Sequence, residues 1–270
     1  MLTRIACQIS LFLLCFSCYN FAVSDVCAQI DNKNGSVELI YDDEVEEIDF
    51  GTDSSVQIIN DPFEGYNRKI FNFNEFVDVY MFDPIAKGYR KTVPKPVRDS
   101  VGNVIKNLSL PFVFANSIFQ GDSENAMGSF SAFLINTTLG IGGIFDVAGT
   151  KKVEYRREDF GKTFAKYGIG QGPYLVIPLL GPSTARDFSG YLVQKAVDPL
   201  SFNVLEVGGG EDIIDSGYRI SLSGVSALDA REGLIDILDD ARRDSFDLYA
   251  TIRSAYIQRR NFEITKTINN

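Results

Sequence analysis

The chain has 270 residues, of which 45% are hydrophobic, so it is long enough to bury one sizeable core or two small ones. It contains no histidine, which excludes Ser-His-Asp triads, histidine-ligated zinc and imidazole acid–base chemistry. The net charge of −10 arises entirely upstream of Arg68, and the remainder, with 24 basic and 24 acidic residues, lacks the cationic surface that nucleic-acid binding requires.

The first residues have the pattern of an export signal. Arg4 precedes an apolar run over residues 5–16, which is too short to span a bilayer, so we predict a signal peptide over residues 1–24 that ends between 17 and 28. Small residues fit cleavage after Ser24 or after Ala28. Lipidation of Cys18 is the third alternative, with Cys15 where a lipobox normally has leucine. All four cysteines lie in the first 27 residues, which suits an oxidising compartment.

Residues 25–59 are predicted to be a disordered linker. The stretch Asp42–Asp49 carries mostly acidic side chains, and like charges at this density repel one another and keep a chain extended. A solvated spacer is the preferred interpretation, and an acidic tail that docks a partner is the alternative.

A folded domain is predicted from residue 60 to 262. We expect Asp61 to cap its first helix, with Glu64 closing a capping box. Aromatic and aliphatic residues then recur at helical spacing on more than one face. Either the helix is buried between neighbours or one of its faces contacts lipid; for Phe63, Tyr66 and Ile70 we favour the core.

Further helices follow at short intervals, and the fold class is predicted as mainly α with at most one short extended or hairpin segment. We expect Asp122 to cap one helix and Ser183 another, and the tail at 263–270 to be disordered. Predicted helices cover 83–91, 96–108, 122–139, 158–167, 183–196, 228–242 and 245–262. Residues 111–120 form another apolar turn or helix, and residues 174–180 form a strand or buried extended chain. No 20-residue apolar span occurs after the signal.

No pattern of residues indicates catalysis, a cofactor or a metal. The glycines at 168, 170 and 172 lack the spacing and the strand–helix context of a dinucleotide-binding loop. The neighbouring carboxylates Glu158 and Asp159 point in different directions on a helix, as do Asp239 and Asp240, so we predict solvated surface charges. We therefore expect a protein that is not an enzyme.

Several spaced motifs resemble the MlaA (VacJ) family in their order along the chain. The resemblance covers residues 61–262 and is most specific around the Gly-rich segment. The motifs are Asp61–Arg68, Phe71–Asn74, Phe119–Asp122, Asn136–Gly143, Asp146–Ala148, Phe160–Thr163, Tyr167–Tyr174, Pro178, Gly181, Arg186–Asp187, Ala255–Arg259 and Phe262.

The resemblance implies a ring of amphipathic helices in the inner leaflet of the outer membrane, with an amphipathic channel and a trimeric porin beside it. It implies that phospholipid mislocalised to the outer leaflet passes through this channel to a periplasmic carrier of the MlaC type, which maintains lipid asymmetry. It carries no catalytic residues. The alternative function is a porin-associated or host-interacting surface lipoprotein that moves no lipid.

The candidate channel and gating residues come from two motifs. The alternation of large apolar and amide groups at 71–74 is unusual; the simplest interpretation is two core phenylalanines and two surface asparagines, and our hypothesis is that the motif shapes the channel near its mouth. The candidates are Phe71, Asn72, Phe73, Asn74, Gly168, Gly170, Gly172, Pro173 and Tyr174.

Overall fold

A computed structural model describes residues 60–197 and 216–269. The predicted signal peptide, the acidic linker and Cys18 lie outside the described residues. A π-helical turn at Asp78–Phe82 joins the first two helices. The elements are α1 Glu64–Val77, α2 Asp83–Thr92, α3 Lys95–Gln120, α4 Ser123–Thr138, α5 Val147–Thr150, α6 Phe160–Lys166, β1 Tyr174–Ile177, β2 Gly181–Thr184, α7 Ala185–Val197, α8 Ser216–Gly233, α9 Ile235–Asp244 and α10 Leu248–Ile268.

The mainly α prediction is confirmed, and the extended segment among the described residues is a two-stranded antiparallel hairpin. Tyr174 pairs with Thr184 at its open end and Ile177 with Gly181 at its closed end. The connection needs left-handed backbone at Leu179, where φ is +61°. Since glycine alone adopts that region freely, the non-glycine Leu179 requires support from its surroundings.

Helix α3 runs unbroken through Pro111, so the prediction that a separate turn or helix begins there is wrong. Proline removes one backbone hydrogen bond and normally breaks a helix. Here the exposed Pro111 lies between the buried Leu110 and Val113, and α3 packs extensively against α4. Tertiary packing therefore outweighs the local preference.

Among the described helices, four are capped by an aspartate that accepts a backbone N–H three residues on. The capping residues are Asp122, Asp146, Asp159 and Asp247. The prediction for Asp122 is confirmed. The prediction for Ser183 is wrong, because Thr184 Oγ1 accepts the N–H of Asp187 at the start of α7. The prediction for Asp61 is wrong as well, because α1 begins at Glu64 without a side-chain cap.

The C-terminal tail is helical, so the prediction of disorder at 263–270 is wrong for the described residues. Helix α10 continues to Ile268 and buries Ile264 and Thr267. Thr267 Oγ1 donates to Glu158 Oε1 at 3.0 Å, and Lys166 Nζ donates to the Thr267 carbonyl at 3.3 Å. The buried face of the last turns is largely polar, which an apolar periodicity does not reveal.

Among the described helices, none combines the length and the hydrophobicity that a bilayer crossing requires. Two apolar clusters lie among the described elements. One joins β1 to α10 through Tyr174, Val176, Tyr249 and Ile257, and the other joins α3, α4 and α5 through Leu110, Ala132 and Ala148.

Candidate functional site

Two asparagines of α1 bind the backbone of the β-hairpin. Asn67 is fully buried; its Nδ2 donates to the Tyr174 carbonyl at 3.1 Å and its Oδ1 accepts the Val176 N–H at 3.0 Å. An amide side chain offers one donor group and one acceptor, as a peptide group does, and can therefore pair with the free edge of a strand. Asn67 takes the place of a neighbouring strand for β1.

Asn74 repeats this arrangement at the hairpin turn. Its Nδ2 donates to the Ile177 carbonyl at 3.0 Å, and its Oδ1 accepts the N–H of the left-handed Leu179 at 2.7 Å. Asn67 and Asn74 are seven residues apart, about two helical turns, so both face the same way. These four hydrogen bonds, which we call the amide clamp, fix the hairpin against α1.

The amide clamp thus joins the motif at 71–74, through Asn74, to the hairpin that begins at Tyr174, the last residue of the Gly-rich motif. Phe71 points inward onto Tyr249, with ring centroids 5.5 Å apart, whereas Asn72 is exposed and Phe73 is 48% exposed. The simple expectation of two core phenylalanines and two surface asparagines is wrong for Phe73 and Asn74. The channel-mouth hypothesis for this motif stays a prediction.

The Gly-rich loop divides into two parts. Gly172 has φ +69°, and a Cβ there would lie 3.0 Å from the Cβ of Ala185, whose N–H donates to the Pro173 carbonyl. This end of the loop leads directly into the clamped Tyr174. Gly168 and Gly170 are exposed, and a Cβ added at either would meet no atom within 4 Å, so neither glycine is packed against the clamp.

Beside the clamp, the rings of Tyr174 and Tyr249 pack edge to face, and Asp61 binds the hydroxyl of Tyr249. Burial raises the pKa of Tyr174, and burial together with the hydrogen bond to Asp61 raises the pKa of Tyr249. Asp61 accepts from Asn67, Tyr249 and Arg253, the last at 2.6 Å. Its carboxylate is occupied by these tertiary partners, which explains why it does not cap α1.

The opposite face of α1 is apolar and exposed. The prediction that Phe63 and Tyr66 belong to the core is wrong, because they are 50% and 61% exposed; Ile70 is part-buried. The exposed apolar face of α1 and the following π-turn consists of Phe63, Tyr66, Phe73, Phe76, Val79 and Tyr80. Asn67 and Asn74 lie inside while most of the large apolar residues lie outside, which largely reverses the pattern of a helix on a water-soluble protein. Phe71, which faces inward, and the exposed Lys69 and Asn72 keep that pattern.

Helices α3 and α4 likewise bury polar side chains and expose apolar ones. Asn125 of α4 donates to Ser117 Oγ of α3 at 2.7 Å, and Asn136 donates to Asp146 Oδ1 at 3.0 Å while accepting the Ala148 N–H. The polar residues that these two helices bury are Asn107, Asn116, Ser117, Gln120, Asn125, Ser129 and Asn136. The large apolar residues that they expose include Ile118, Phe119, Met127, Phe130 and Leu134.

The described residues as a whole show the same polarity. Among them 21 polar or charged residues are buried against 17 hydrophobic ones, and 26 large hydrophobic residues are exposed. Scattered exposed apolar residues are normal on a soluble protein, but contiguous aromatic faces mark a surface that contacts lipid or a partner. Buried polar groups joined by hydrogen bonds supply the internal cohesion.

A buried ion network joins α6, α7 and α10. Arg260 donates to both oxygens of Asp159 at 2.7 Å and to Asp187 Oδ1 at 3.1 Å. Burial alone would raise the pKa of Asp159, but the charge and hydrogen bonds of Arg260 outweigh it and hold that pKa well below its usual range. Glu158, also buried, accepts from Gln120 at 3.1 Å, and burial raises its pKa.

The prediction that Glu158 and Asp159 are solvated is therefore wrong. Their partners lie about 40 to 110 residues away along the chain, which no local pattern reveals. Sequence reasoning also missed Asn67 and Arg260. The seven-residue spacing of Asn67 and Asn74 is a usable signal; a lone Arg260 gives none. Within the described ranges, no group of three or more Asp, Glu, His or Cys residues is arranged to hold a metal ion.

Comparison with known proteins identifies this architecture. Residues 59–263 match the family model described as MlaA lipoprotein. The chain belongs to the MlaA lipoprotein family. The MlaA motifs of the sequence thus include the amide clamp at Asn67 and Asn74 and the glycines that lead into it.

Relatives with similar MlaA domains match along most of their length. The intermembrane phospholipid transport system lipoprotein MlaA of Escherichia coli K12 is 36% identical over 216 residues, covering 78% of this chain and 80% of that protein. An uncharacterised protein of Rickettsia bellii is 36% identical over 207 residues, covering 76% and 77%. A chain solved in work on the structural basis for maintenance of bacterial outer membrane lipid asymmetry matches with a TM-score of 0.63 and 33% identity, covering 76% of this chain and 98% of that one.

Proposed function

We propose that this MlaA-family chain removes mislocalised phospholipid from the outer leaflet of the outer membrane and passes it to a periplasmic lipid carrier. The observation that carries the proposal is the reversed polarity of α1, α3 and α4, with buried amides inside and large apolar residues outside. The names of its relatives, which specify intermembrane phospholipid transport, support the same function.

The proposed location is the inner leaflet of the outer membrane, in contact with the periplasm. Helices satisfy their own backbone hydrogen bonds, so amphipathic helices tolerate lipid on one side without crossing the bilayer. Exposed aromatics such as Phe76 and Phe130 would contact acyl chains, while the buried polar groups would surround a passage for a headgroup. Export by the signal peptide, with or without a lipid at Cys18, would deliver the domain there.

We propose that the channel mouth is formed near Phe71–Asn74, Gly172–Tyr174 and the hairpin that they hold. The amide clamp supports this because it rigidly connects the two motifs in one place. Gly168 and Gly170 are open, exposed positions in the same loop and are proposed to let its tip adapt to a passing lipid. The proposed partners are a trimeric outer-membrane porin and a soluble carrier of the MlaC type.

Deletion of the gene for this chain in its own host tests the proposed transport function. We expect phospholipid in the outer leaflet to rise, as measured by its accessibility to an added phospholipase, and detergent resistance to fall. Re-expression of the full chain should restore both. Unchanged outer-leaflet phospholipid and intact detergent resistance would instead favour the alternative, a surface lipoprotein without transport activity.

A further inference from the structure

The connection between α4 and α5 exposes an uncharged, apolar run of residues. Residues 139–145, which we call the apolar loop, contain three glycines and four large apolar residues and no polar side chain. The four large residues are each between 39% and 65% exposed; they are Leu139, Ile141, Ile144 and Phe145. Large apolar side chains that are exposed together mark a surface that contacts lipid or a protein partner.

The two ends of the apolar loop are tied together by Asn136. Its Nδ2 donates to Asp146 Oδ1 at 3.0 Å, and its Oδ1 accepts the N–H of Ala148 at 2.8 Å. Gly143 lies so close to α3 that a Cβ there would come within 2.6 Å of the Cβ of Asn107. The apolar loop therefore has a fixed shape, as compact surface loops with closed ends do.

Most backbone donors of the apolar loop are satisfied locally. Five of its seven N–H groups donate to carbonyls of residues 135–140 over distances of 2.8–3.1 Å; the donors are Leu139, Gly140, Gly142, Gly143 and Phe145. Irregular backbone is normally excluded from lipid because lipid offers no partner to a free N–H. A loop that already bonds most of its donors can leave water at a lower cost.

The backbone at Ile141 is strained. Its φ of +53° lies in the left-handed region, which β-branched residues rarely adopt and which glycine or asparagine adopts more readily. In water, an exposed isoleucine at this position is unfavourable both for the backbone and for the apolar side chain. Entry of that side chain into lipid would offset both costs.

Two exposed lysines follow the apolar loop after one helical turn. Helix α5, with four residues and a rise of about 6 Å, separates the loop from Lys151 and Lys152. Neither lysine forms a salt bridge with a residue of the described ranges. Glu154 is exposed nearby in the chain, and Asp146 is paired with Lys106 at 3.4 Å, so the segment after the loop keeps a positive charge. Lysines beside an inserted apolar segment bind anionic headgroups.

We infer that the apolar loop inserts as a wedge into an anionic membrane leaflet, and that Lys151 and Lys152 bind the headgroups of that leaflet. A protein partner could supply hydrogen bonds to a loop backbone, whereas lipid cannot, so the locally satisfied donors favour lipid. The inference rests on the membrane location in the proposed function and deepens it, because it names a segment that holds and orients the domain at the leaflet.

Vesicle flotation of the full chain tests the wedge, after dilution from detergent into phosphatidylcholine vesicles with or without one-third phosphatidylglycerol. Ile141→Asn removes the apolar tip and should keep the fold, because asparagine adopts left-handed backbone more readily than isoleucine does. Lys151→Gln combined with Lys152→Gln removes both charges. Lys91→Gln combined with Lys95→Gln, at exposed lysines of α2 and α3, is the matched control.

We expect Ile141→Asn to bind both kinds of vesicle about tenfold more weakly than the wild type, since an isoleucine side chain no longer leaves water. The variant that lacks Lys151 and Lys152 should bind the mixed vesicles about tenfold more weakly and the phosphatidylcholine vesicles as the wild type does. The control should match the wild type on both. Wild-type binding by Ile141→Asn would overturn the wedge, and an undiminished preference for phosphatidylglycerol in the Lys151 and Lys152 variant would overturn the headgroup contact.

A tryptophan at the loop distinguishes lipid contact from protein contact. Leu139 has an ordinary φ of −83°, so its backbone accepts tryptophan. In vesicles, Leu139→Trp should be quenched by phospholipid brominated on its acyl chains and shielded from aqueous acrylamide. Phe246→Trp, at a fully exposed position between α9 and α10, is the comparison that should stay in water. Equal acrylamide quenching at the two positions would overturn insertion and make the apolar loop a docking surface for a protein.

The two proposals fail in different ways. If the wild-type gene restores lipid asymmetry and Ile141→Asn binds vesicles as the wild type does, the wedge is wrong and the transport function stands. If the wild type restores nothing but its vesicle binding still depends on Ile141, the wedge stands and the transport function is wrong.

Discussion

Asn67 and Asn74 act on the backbone of the hairpin through both ends of their amide groups. A buried backbone group that loses its partner costs roughly 1–3 kcal/mol, more than the net gain from forming the bond. Each asparagine satisfies two such groups, and Asn74 also supports the left-handed Leu179. The clamp is therefore a point at which a single substitution should have a large effect.

For Asn74→Ala we expect a loss of about 1–3 kcal/mol of stability, because the Leu179 N–H loses its partner, whereas the Ile177 carbonyl still accepts the Leu180 N–H at 3.2 Å. Asn72→Ala is the control, since Asn72 is exposed on the same helix and its loss should change stability by less than about 0.5 kcal/mol. Thermal unfolding followed by circular dichroism in detergent measures both. Equal effects of the two substitutions would contradict the clamp.

The carboxylate of Asp229 in α8 lies where its charged form is disfavoured. It faces Tyr89 of α2, which donates to it over 3.5 Å, and the backbone of Gly102 in α3. Burial, with the negative charge of Glu232, raises its pKa to about 6; Arg98 opposes this and Asp99 adds to it. The folded protein therefore holds a proton on Asp229 at pH values where the unfolded chain, with a pKa near 3.8, has lost it.

This difference makes stability depend on pH in a defined direction. Protonation of Asp229 stabilises the fold, so the contribution is fully present below about pH 4 and is lost as pH rises through about 6. Asp229→Asn should be more stable than the wild type at pH 7.5 by about 1–3 kcal/mol and nearly equal to it at pH 4. Asp240→Asn, at an exposed site, is the control; a wild type that gained stability from pH 5 to 7 relative to Asp229→Asn would contradict the assignment.

Among the described elements, α6 and α7 approach each other closely, and two glycines permit it. A Cβ on Gly190 would lie 2.4 Å from the backbone nitrogen of Gly161, and one on Gly161 would lie 2.5 Å from Nη2 of Arg260. This approach places Asp159 and Asp187 on either side of Arg260. The ion network around Arg260 thus depends on two residues that have no side chains.

Gly190→Ala should force α6 and α7 apart and cost several kcal/mol, about 3 or more, since it clashes with backbone rather than with a flexible side chain. Gly88→Ala provides the comparison, because it lies in a helix with open space around it and should stabilise α2 by about 0.5–1 kcal/mol. Unfolding curves of the two variants should shift in opposite directions. A neutral Gly190→Ala would mean that the helices can separate freely.

At the scale of the secondary-structure elements, the sequence predicts most of the helices but fewer of the residues at which they begin and end. The cap at Asp122 follows from local chemistry and is confirmed. Helix α2 begins at Asp83 as predicted, but it continues the helical backbone of the π-turn and has no side-chain cap. The continuity of α3 through Pro111 depends on packing against α4, and the helical tail depends on Thr267 reaching Glu158. Both are long-range contacts, which residue propensities do not contain.

At the scale of the whole molecule, periodicity identifies two faces of a helix and does not say which solvent each face meets. General burial preferences place Phe63 and Tyr66 in the core because apolar residues usually lie inside, and the opposite holds here. The family resemblance supplies the membrane context that composition lacks. The candidate site is predictable in part: Asn67 and Asn74 both belong to motifs quoted from the sequence and bind the hairpin that begins at Tyr174, while the hydrogen-bonding role of Asn67 and the ion pairs of Arg260 emerge only from the structure.

The proposed function requires that the outward aromatic faces contact acyl chains while the clamp side does not. The chain contains no tryptophan, so a single introduced one reports its own surroundings. We propose to place Phe76→Trp, Phe130→Trp and, as the inward-facing comparison, Phe71→Trp in vesicles that contain phospholipid brominated on its acyl chains. We expect strong fluorescence quenching for the first two and little for Phe71→Trp. Equal quenching at all three positions, or none at Phe76→Trp and Phe130→Trp, would show that these faces do not meet lipid as proposed.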